Sequence, residues 1–319
     1  MRTINENKTY ELGLSVGMFS GLFWGLSTVL SGIILVTGAF VSTEQAIILS
    51  PLVGAFLNYT FSTIWLTVYM VVRGNFKSTF KSLKQKSLKT KSGRAVVFGA
   101  LCGGPFGFGC YLLAISFIGA GYAASISAIF PVLTGLFSYI FLKEKLKSKN
   151  WAGLLLSILA IAIMWYAPSE GGVENFTLGL ILAIGSAIGW ALESVICAYG
   201  MKGDEVSSEE ALYLRKLVAT LAYGVLIIPF ISGFGLTIEV LSSNLAIFLA
   251  GIALIGTVSY GLYYKAIDIV GPGRATGLNV TYAAWTVFFE VIFLGTMVTP
   301  ILLICVMLII CGTILVSKK

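Results

Sequence analysis

A carboxylate set inside an apolar stretch is the residue with the most chemical content in this sequence. Glu193 lies within Phe176 to Lys202, FTLGLILAIGSAIGWALESVICAYGMK, where an ionisable group is costly unless it faces a cavity or a partner. A glutamate so placed can take up and release a proton or hold a cationic part of a solute. Ser186, Trp190, Glu193 and Cys197 are spaced four, three and four, so a helix puts them on one face. Arg215 and Lys216 lie beyond the next turn, about as far from Asp204 and Glu205 as Glu193 does. An antiparallel hairpin would bring them to one depth, so a cavity role and a structural ion pair are both open readings for Glu193.

The same stripe occurs 166 positions earlier, as Ser20, Trp24, Ser27 and Ser31, with Ser27 where the later copy has Glu193. Around these stripes the candidates for a solute site are Trp24, Ser27, Trp190, Glu193, Tyr260, Tyr264, Tyr282 and Trp285. Aromatic faces suit apolar, aromatic or cationic groups, although aromatics at helical spacing also serve as packing. Glu290 sits late in a run of opposite sense and is expected to snorkel to the far interface. Lys265 and Asp268, three apart, are expected to pair locally.

The elements that must position these residues are membrane helices. Mean hydropathy is +0.94, with 57% hydrophobic and 11% charged residues in 319, against about 25% charged in soluble domains. Apolar runs lie at about 12–36, 46–72, 95–118, 122–142, 151–167, 176–199, 211–231, 245–270, 275–295 and 301–316. At about 20 residues per crossing, this predicts an all-α polytopic membrane protein with ten transmembrane helices. The five cysteines all fall inside such runs and read as small core residues. The absence of histidine removes the commonest acid/base group and metal ligand, so no metal, cofactor or enzyme activity is expected.

Alternating the loops across the membrane puts all 21 Lys and Arg on one side, while Glu44, Glu170, Glu174 and Glu239 take the other. The positive-inside rule then makes both termini cytoplasmic in a multi-pass cell membrane protein. Residues 73–94 hold eight basic residues and no acidic one, and are expected to form a loop anchored on anionic lipid. The charge balance of +7 is thereby explained by topology, with the lipid bilayer rather than nucleic acid as partner. Gly103, Gly104 and Pro105 interrupt the third run, as a bend or as close packing.

A second internal match, offset by 152, pairs IGAGYAAS at 118–125 with VGPGRATG at 270–277. It also aligns Ser127, Phe130, Thr134 and Ser138 with Asn279, Tyr282, Thr286 and Glu290. Two five-helix halves, 12–167 and 176–316, must enter the bilayer in opposite senses, which gives an inverted repeat with a site near midplane.

With FWG at 23–25, GWA at 189–191, YLLAISFIGAGYAASISAIFPVLTGLFSYIFLKEKL at 111–146 and YYKAIDIVGPGRATGLNV at 263–280, the chain resembles EamA-type members of the drug/metabolite transporter superfamily. The second half departs from the pattern where Ala283 replaces Pro131 and Thr296 replaces Glu144. The resemblance implies a secondary transporter that moves a small organic solute (an amino acid, metabolite or drug-like compound) by alternating access. It leaves the solute, the direction and any proton or ion coupling open. A membrane receptor or scaffold and an integral membrane enzyme are the alternative classes.

Overall fold

The computed structural model describes residues 2–41, 46–142, 147–166, 176–201, 206–270 and 272–317, and the regular elements among them are all helical. Lys143, Lys145, Lys202, Lys318, Lys319, Glu44, Glu170 and Glu174 from the charge tally lie outside the described residues. The helices are α1 Arg2–Leu35, α2 Ala46–Val72, α3 Phe76–Lys86, α4 Lys91–Ser127, α5 Phe130–Leu142, α6 Ser148–Tyr166 and α7 Phe176–Met201. They continue with α8 Ser208–Phe230, α9 Phe234–Leu241, α10 Leu245–Val270, α11 Pro272–Asn279, α12 Tyr282–Leu294 and α13 Pro300–Ser317. Among the described residues seven segments are long and apolar enough to cross a membrane. Phe130–Phe141, Trp151–Ala160 and Pro300–Gly312 are apolar but shorter, below the roughly 20 residues that span the hydrocarbon.

The basic segment after α2 is not simply a loop. Residues 76–86 form α3, with Leu83 buried beneath its lysine face. Thr90 then caps α4 by accepting from the Gly93 N–H at 3.0 Å. α9 is likewise absent from the hydropathy reading, because its eight residues are too few to register.

Two devices shape α4. Around Pro105 the chain takes a π-helical turn, Cys102–Phe108, since proline has no N–H to continue the ladder. Further on, Gly119 adopts φ 78° and ψ 165°, a backbone region open essentially to glycine alone. The run breaks there, where the hydropathy also divides it. The segment restarts at Ala120, and the Gly121 N–H in its first turn donates to Glu290 Oε1 at 3.1 Å. Glu290 is therefore half-buried on a helix N-terminus instead of snorkelling, because unpaired N–H groups and the helix dipole favour a carboxylate there.

A turn at Ala128 and Ile129 separates α4 from α5, and another at Val280 and Thr281 separates α11 from α12. The second interruption forms although Ala283 stands where Pro131 does, so proline is not what breaks the helix. Ser127 and Tyr282 hydroxyls bond at 2.8 Å where the two breaks meet.

Glycines set the closest helix approaches. Gly13, Gly17, Gly21 and Gly25 of α1 are each so close to Ile269, Leu278, Thr281 or Trp285 that an added Cβ would collide. On α4, Gly99, Gly103 and Gly107 oppose Cys197, Glu193 and Trp190 of α7 in turn. Three of the four side chains of the α7 stripe, Cys197, Glu193 and Trp190, are thus each seated on a glycine.

Candidate functional site

Where α1, α7, α10 and the α11–α12 junction meet, a cavity of about 30 Å³ remains. Its aromatic wall is Trp24, Trp190, Tyr260, Tyr263, Tyr282 and Phe130; its polar wall is Glu193, Ser194, Ser259 and Asn279. The indoles of Trp24 and Trp190 meet edge to face with centroids 5.7 Å apart, and Trp24 meets Tyr260 in the same way at 5.1 Å. Behind them Tyr111 lies 4.9 Å from Trp190 and bonds the Thr28 hydroxyl at 2.9 Å. Asn279 donates to Ser20 Oγ at 2.8 Å, and Ser259 donates to the Ser20 carbonyl at 2.8 Å. Those two bonds tie α11 and α10 to the first stripe.

Glu193 is both an ion-pair partner and a wall residue. Arg215 of α8 donates to its carboxylate twice, from Nε to Oε1 and from Nη2 to Oε2 at 3.1 Å. Tyr264 donates to Oε1 at 2.9 Å. Arg215 Nη2 also reaches Tyr260 Oη at 2.8 Å and the Gly103 carbonyl at 3.3 Å, an acceptor supplied by the π-helical turn. Lys216 adds a second buried basic group, its Nζ 4.6 Å from the Tyr260 ring centroid and 4.9 Å from that of Tyr59. Arg215 and Lys216 are 0% and 2% exposed and Glu193 6%, so two basic groups and one acid are enclosed beside the cavity. Gly103 permits this, since a Cβ there would overlap the Glu193 carboxylate.

Among the residues expected from the sequence, Trp24, Trp190, Glu193, Tyr260 and Tyr282 share the cavity. Tyr264 stands behind Glu193, one hydrogen bond away. Ser27 is buried against Gly256, and the Trp285 ring packs on Phe288 and Phe289 of its own helix. Neither lines the cavity. Tyr263, Ser194 and Ser259 line it without having been singled out in the sequence, although Tyr263 lies between two tyrosines that were. Lys265 and Asp268 do not pair: ion pairs among the described residues are Arg73 with Glu209 at 3.0 Å, Lys86 with Glu210 at 3.7 Å, and Arg215 with Glu193. A cation preceding the acid along a helix is the weaker order for such pairs.

The sequence model of the EamA-like transporter family matches residues 11–166 and again 177–318. This chain belongs to that family. The EamA-like chain is 33% identical over 214 residues to Protein LicB of Haemophilus influenzae, covering 67% of this chain and 72% of the relative. It is also 32% identical over 88 residues, 28% of each chain, to the uncharacterized transporter YvbV of Bacillus subtilis. A solved structure titled only as the crystal structure of a protein superposes with a TM-score of 0.60 over 95% of both chains at 18% identity, a likeness of fold. The EamA-like chain is accordingly an all-α polytopic membrane protein of transporter type.

Proposed function

We propose that this EamA-like protein is a secondary transporter that carries a small organic solute by alternating access between two inverted five-helix halves, 12–167 and 176–316. The observation that carries the reading is the edge contact of Trp24 and Trp190 over a common cavity, because these two residues hold equivalent places in the two matched stripes. Helix interruptions at 128–129 and 280–281, 152 positions apart, support the same division. So does the family match, which falls in two parts. Ten crossings and cytoplasmic termini complete the proposal and rest on the one-sided distribution of Lys and Arg.

A cavity of about 30 Å³ has room for a water molecule and is far below the roughly 300 Å³ at which ligand pockets begin. In this reading, loading a solute requires the helices to part. The walls favour an apolar, aromatic or cationic group against the rings, with the Glu193 carboxylate as the one anionic neighbour among the described residues. Trp190 Nε1 and Arg215 Nη1 are buried donors without a protein partner, so a polar solute atom or water reaching them gains a hydrogen bond otherwise unmade. In this reading Glu193 couples solute to the cycle by exchanging its hold on Arg215 for a proton or a cationic solute group.

Solute flux into or out of proteoliposomes, screened with radiolabelled amino acids, amines and amphiphilic drugs, tests the proposal. Trp24→Ala and Trp190→Ala should each lower flux at least tenfold, while Trp285→Ala, whose ring packs outside the cavity, leaves it within twofold. Flux unchanged in both tryptophan variants would remove the cavity from the path.

A further inference from the structure

A second and much larger cavity, about 720 Å³, lies between α2, α8 and α10. Its composition changes along its length. On α10 the lining includes Leu254, Val258, Gly261, Leu262, Lys265 and Asp268, which share a single helical stripe. Leu254 and Val258 are 40% and 41% exposed and lie near the middle of α10. At that depth what surrounds the protein is hydrocarbon, so the groove opens sideways to lipid.

We propose that this groove holds one phospholipid of the leaflet on the side of the basic segment 73–94, with a zwitterionic, amine-bearing headgroup. The length fits. From Leu254 to Asp268 is 14 residues, about 21 Å at 1.5 Å per residue, and one leaflet with its headgroup layer is about 20–22 Å thick. The charges fall at the right depth as well. Lys265 is 11 residues from Leu254, about 16 Å along the helix, just past the roughly 15 Å hydrocarbon half-thickness. Below it the wall is apolar, closed on the α2 side by Trp65, whose indole is fixed by donating to the Ala250 carbonyl at 2.9 Å. At the rim stand two cations, Arg73 and Lys265, and two anions, Glu209 and Asp268. Arg73 and Glu209 satisfy one another, whereas Lys265 and Asp268 are exposed and make no ion pair among the described residues. One free cation for a phosphate and one free anion for an ammonium describe a phosphatidylethanolamine headgroup, which also brings hydrogen-bond donors to the carboxylate. An anionic lipid would leave Asp268 opposed by like charge.

The inference does not depend on transport. Tyr264 separates this groove from the Glu193 cluster, since it lines the one and bonds the other. A path for solute is thus the competing use of the same space.

Native mass spectrometry of the full chain released from nanodiscs of equal phosphatidylethanolamine and phosphatidylglycerol tests the proposal. One phosphatidylethanolamine should survive activation that strips the rest. Val258→Trp, which fills the groove from a half-exposed position, should reduce that adduct at least tenfold, and Lys265→Ala with Asp268→Ala should remove its preference over phosphatidylglycerol. Phe248→Trp, at an exposed position of α10 that lines a separate groove beside α1, should leave the adduct unchanged and so controls for a tryptophan on this helix. A retained adduct in Val258→Trp, or equal retention of both lipids by the native chain, would overturn the proposal. So would the lack of any retained lipid combined with loss of solute flux in Val258→Trp, which would assign the groove to the solute.

Discussion

Replacing either member of the Glu193–Arg215 pair should damage the fold, but by unequal amounts. With Lys216 taken as protonated, the buried cluster of Glu193, Arg215 and Lys216 sums to +1. Glu193→Gln raises this to +2, Arg215→Gln lowers it to 0, and the double replacement returns it to +1. Stranding a buried charge by deleting its partner costs about 3–5 kcal/mol. Glu193→Gln adds a second penalty. Arg215 Cζ and Lys216 Nζ lie 4.0 and 4.6 Å from the same Tyr260 ring centroid, hence at most about 9 Å apart, and two unit charges within that separation at an effective dielectric of about 20 repel by at least about 2 kcal/mol. In the native cluster the carboxylate offsets that repulsion. After Arg215→Gln, Glu193 still has Lys216 as a cation nearby. Glu193→Gln should therefore be the more destabilising by about 2–3 kcal/mol, and the double variant should be less destabilised than the sum of the singles by about 2 kcal/mol. Unfolding free energies of the purified variants, from denaturant titration in mixed micelles, measure all three. Equal or greater damage from Arg215→Gln, or a coupling below about 0.5 kcal/mol, would refute the charge arithmetic.

Gly119→Ala meets no neighbouring atom within 4 Å, so its cost is that of the backbone alone, about 1–3 kcal/mol for a non-glycine residue at φ 78°, ψ 165°; the same denaturant titration reads it, and a neutral result would mean that the break is not held at that geometry. Reporter enzymes fused after Lys89, Lys147 and the final Lys319 should report cytoplasm, and those after Glu44 and Glu174 the opposite side; a cytoplasmic signal at Glu174 would end the ten-crossing arrangement. Thr90→Ala removes the side-chain acceptor from the Gly93 N–H and should lower stability by about 1 kcal/mol, seen in the same titrations.

The helical membrane class was legible because burial in lipid demands long apolar runs and satisfied backbone, which leave their mark on composition. The stripes were legible too, since helical spacing turns a list of residues into a face. What lay beyond the sequence was mostly backbone geometry. The π-helical turn at Cys102–Phe108 converts Gly103-Gly104-Pro105 from an ambiguous break into the source of a carbonyl for Arg215, and no local pattern announces which carbonyl is freed. Trp285 lies outside the cavity because a repeat fixes the helix face only to within a residue or so, and its indole packs on Phe288 and Phe289. Glu290 departs from its expected place for another reason: its partner is a backbone N–H made available by the break at Gly119, far away in the sequence. Tyr59, beneath both buried basic groups, carried no signal at all, because a lone tyrosine in an apolar run is indistinguishable from packing.

The volume of the central cavity bears on how affinity should be understood in this protein. In the proposed cycle, a form whose central cavity measures about 30 Å³ has no room for a metabolite, so a solute binds the fraction of molecules in which the helices have parted. The measured dissociation constant is then the intrinsic one divided by that fraction. Each 1.4 kcal/mol by which the shut packing is preferred weakens apparent binding about tenfold without altering a single solute contact. Glycine seats, edge-on indoles and the shared carboxylate thus tune affinity through the resting equilibrium. Substitutions that merely loosen them should tighten solute binding, which makes unusually strong binding a sign of a damaged resting form.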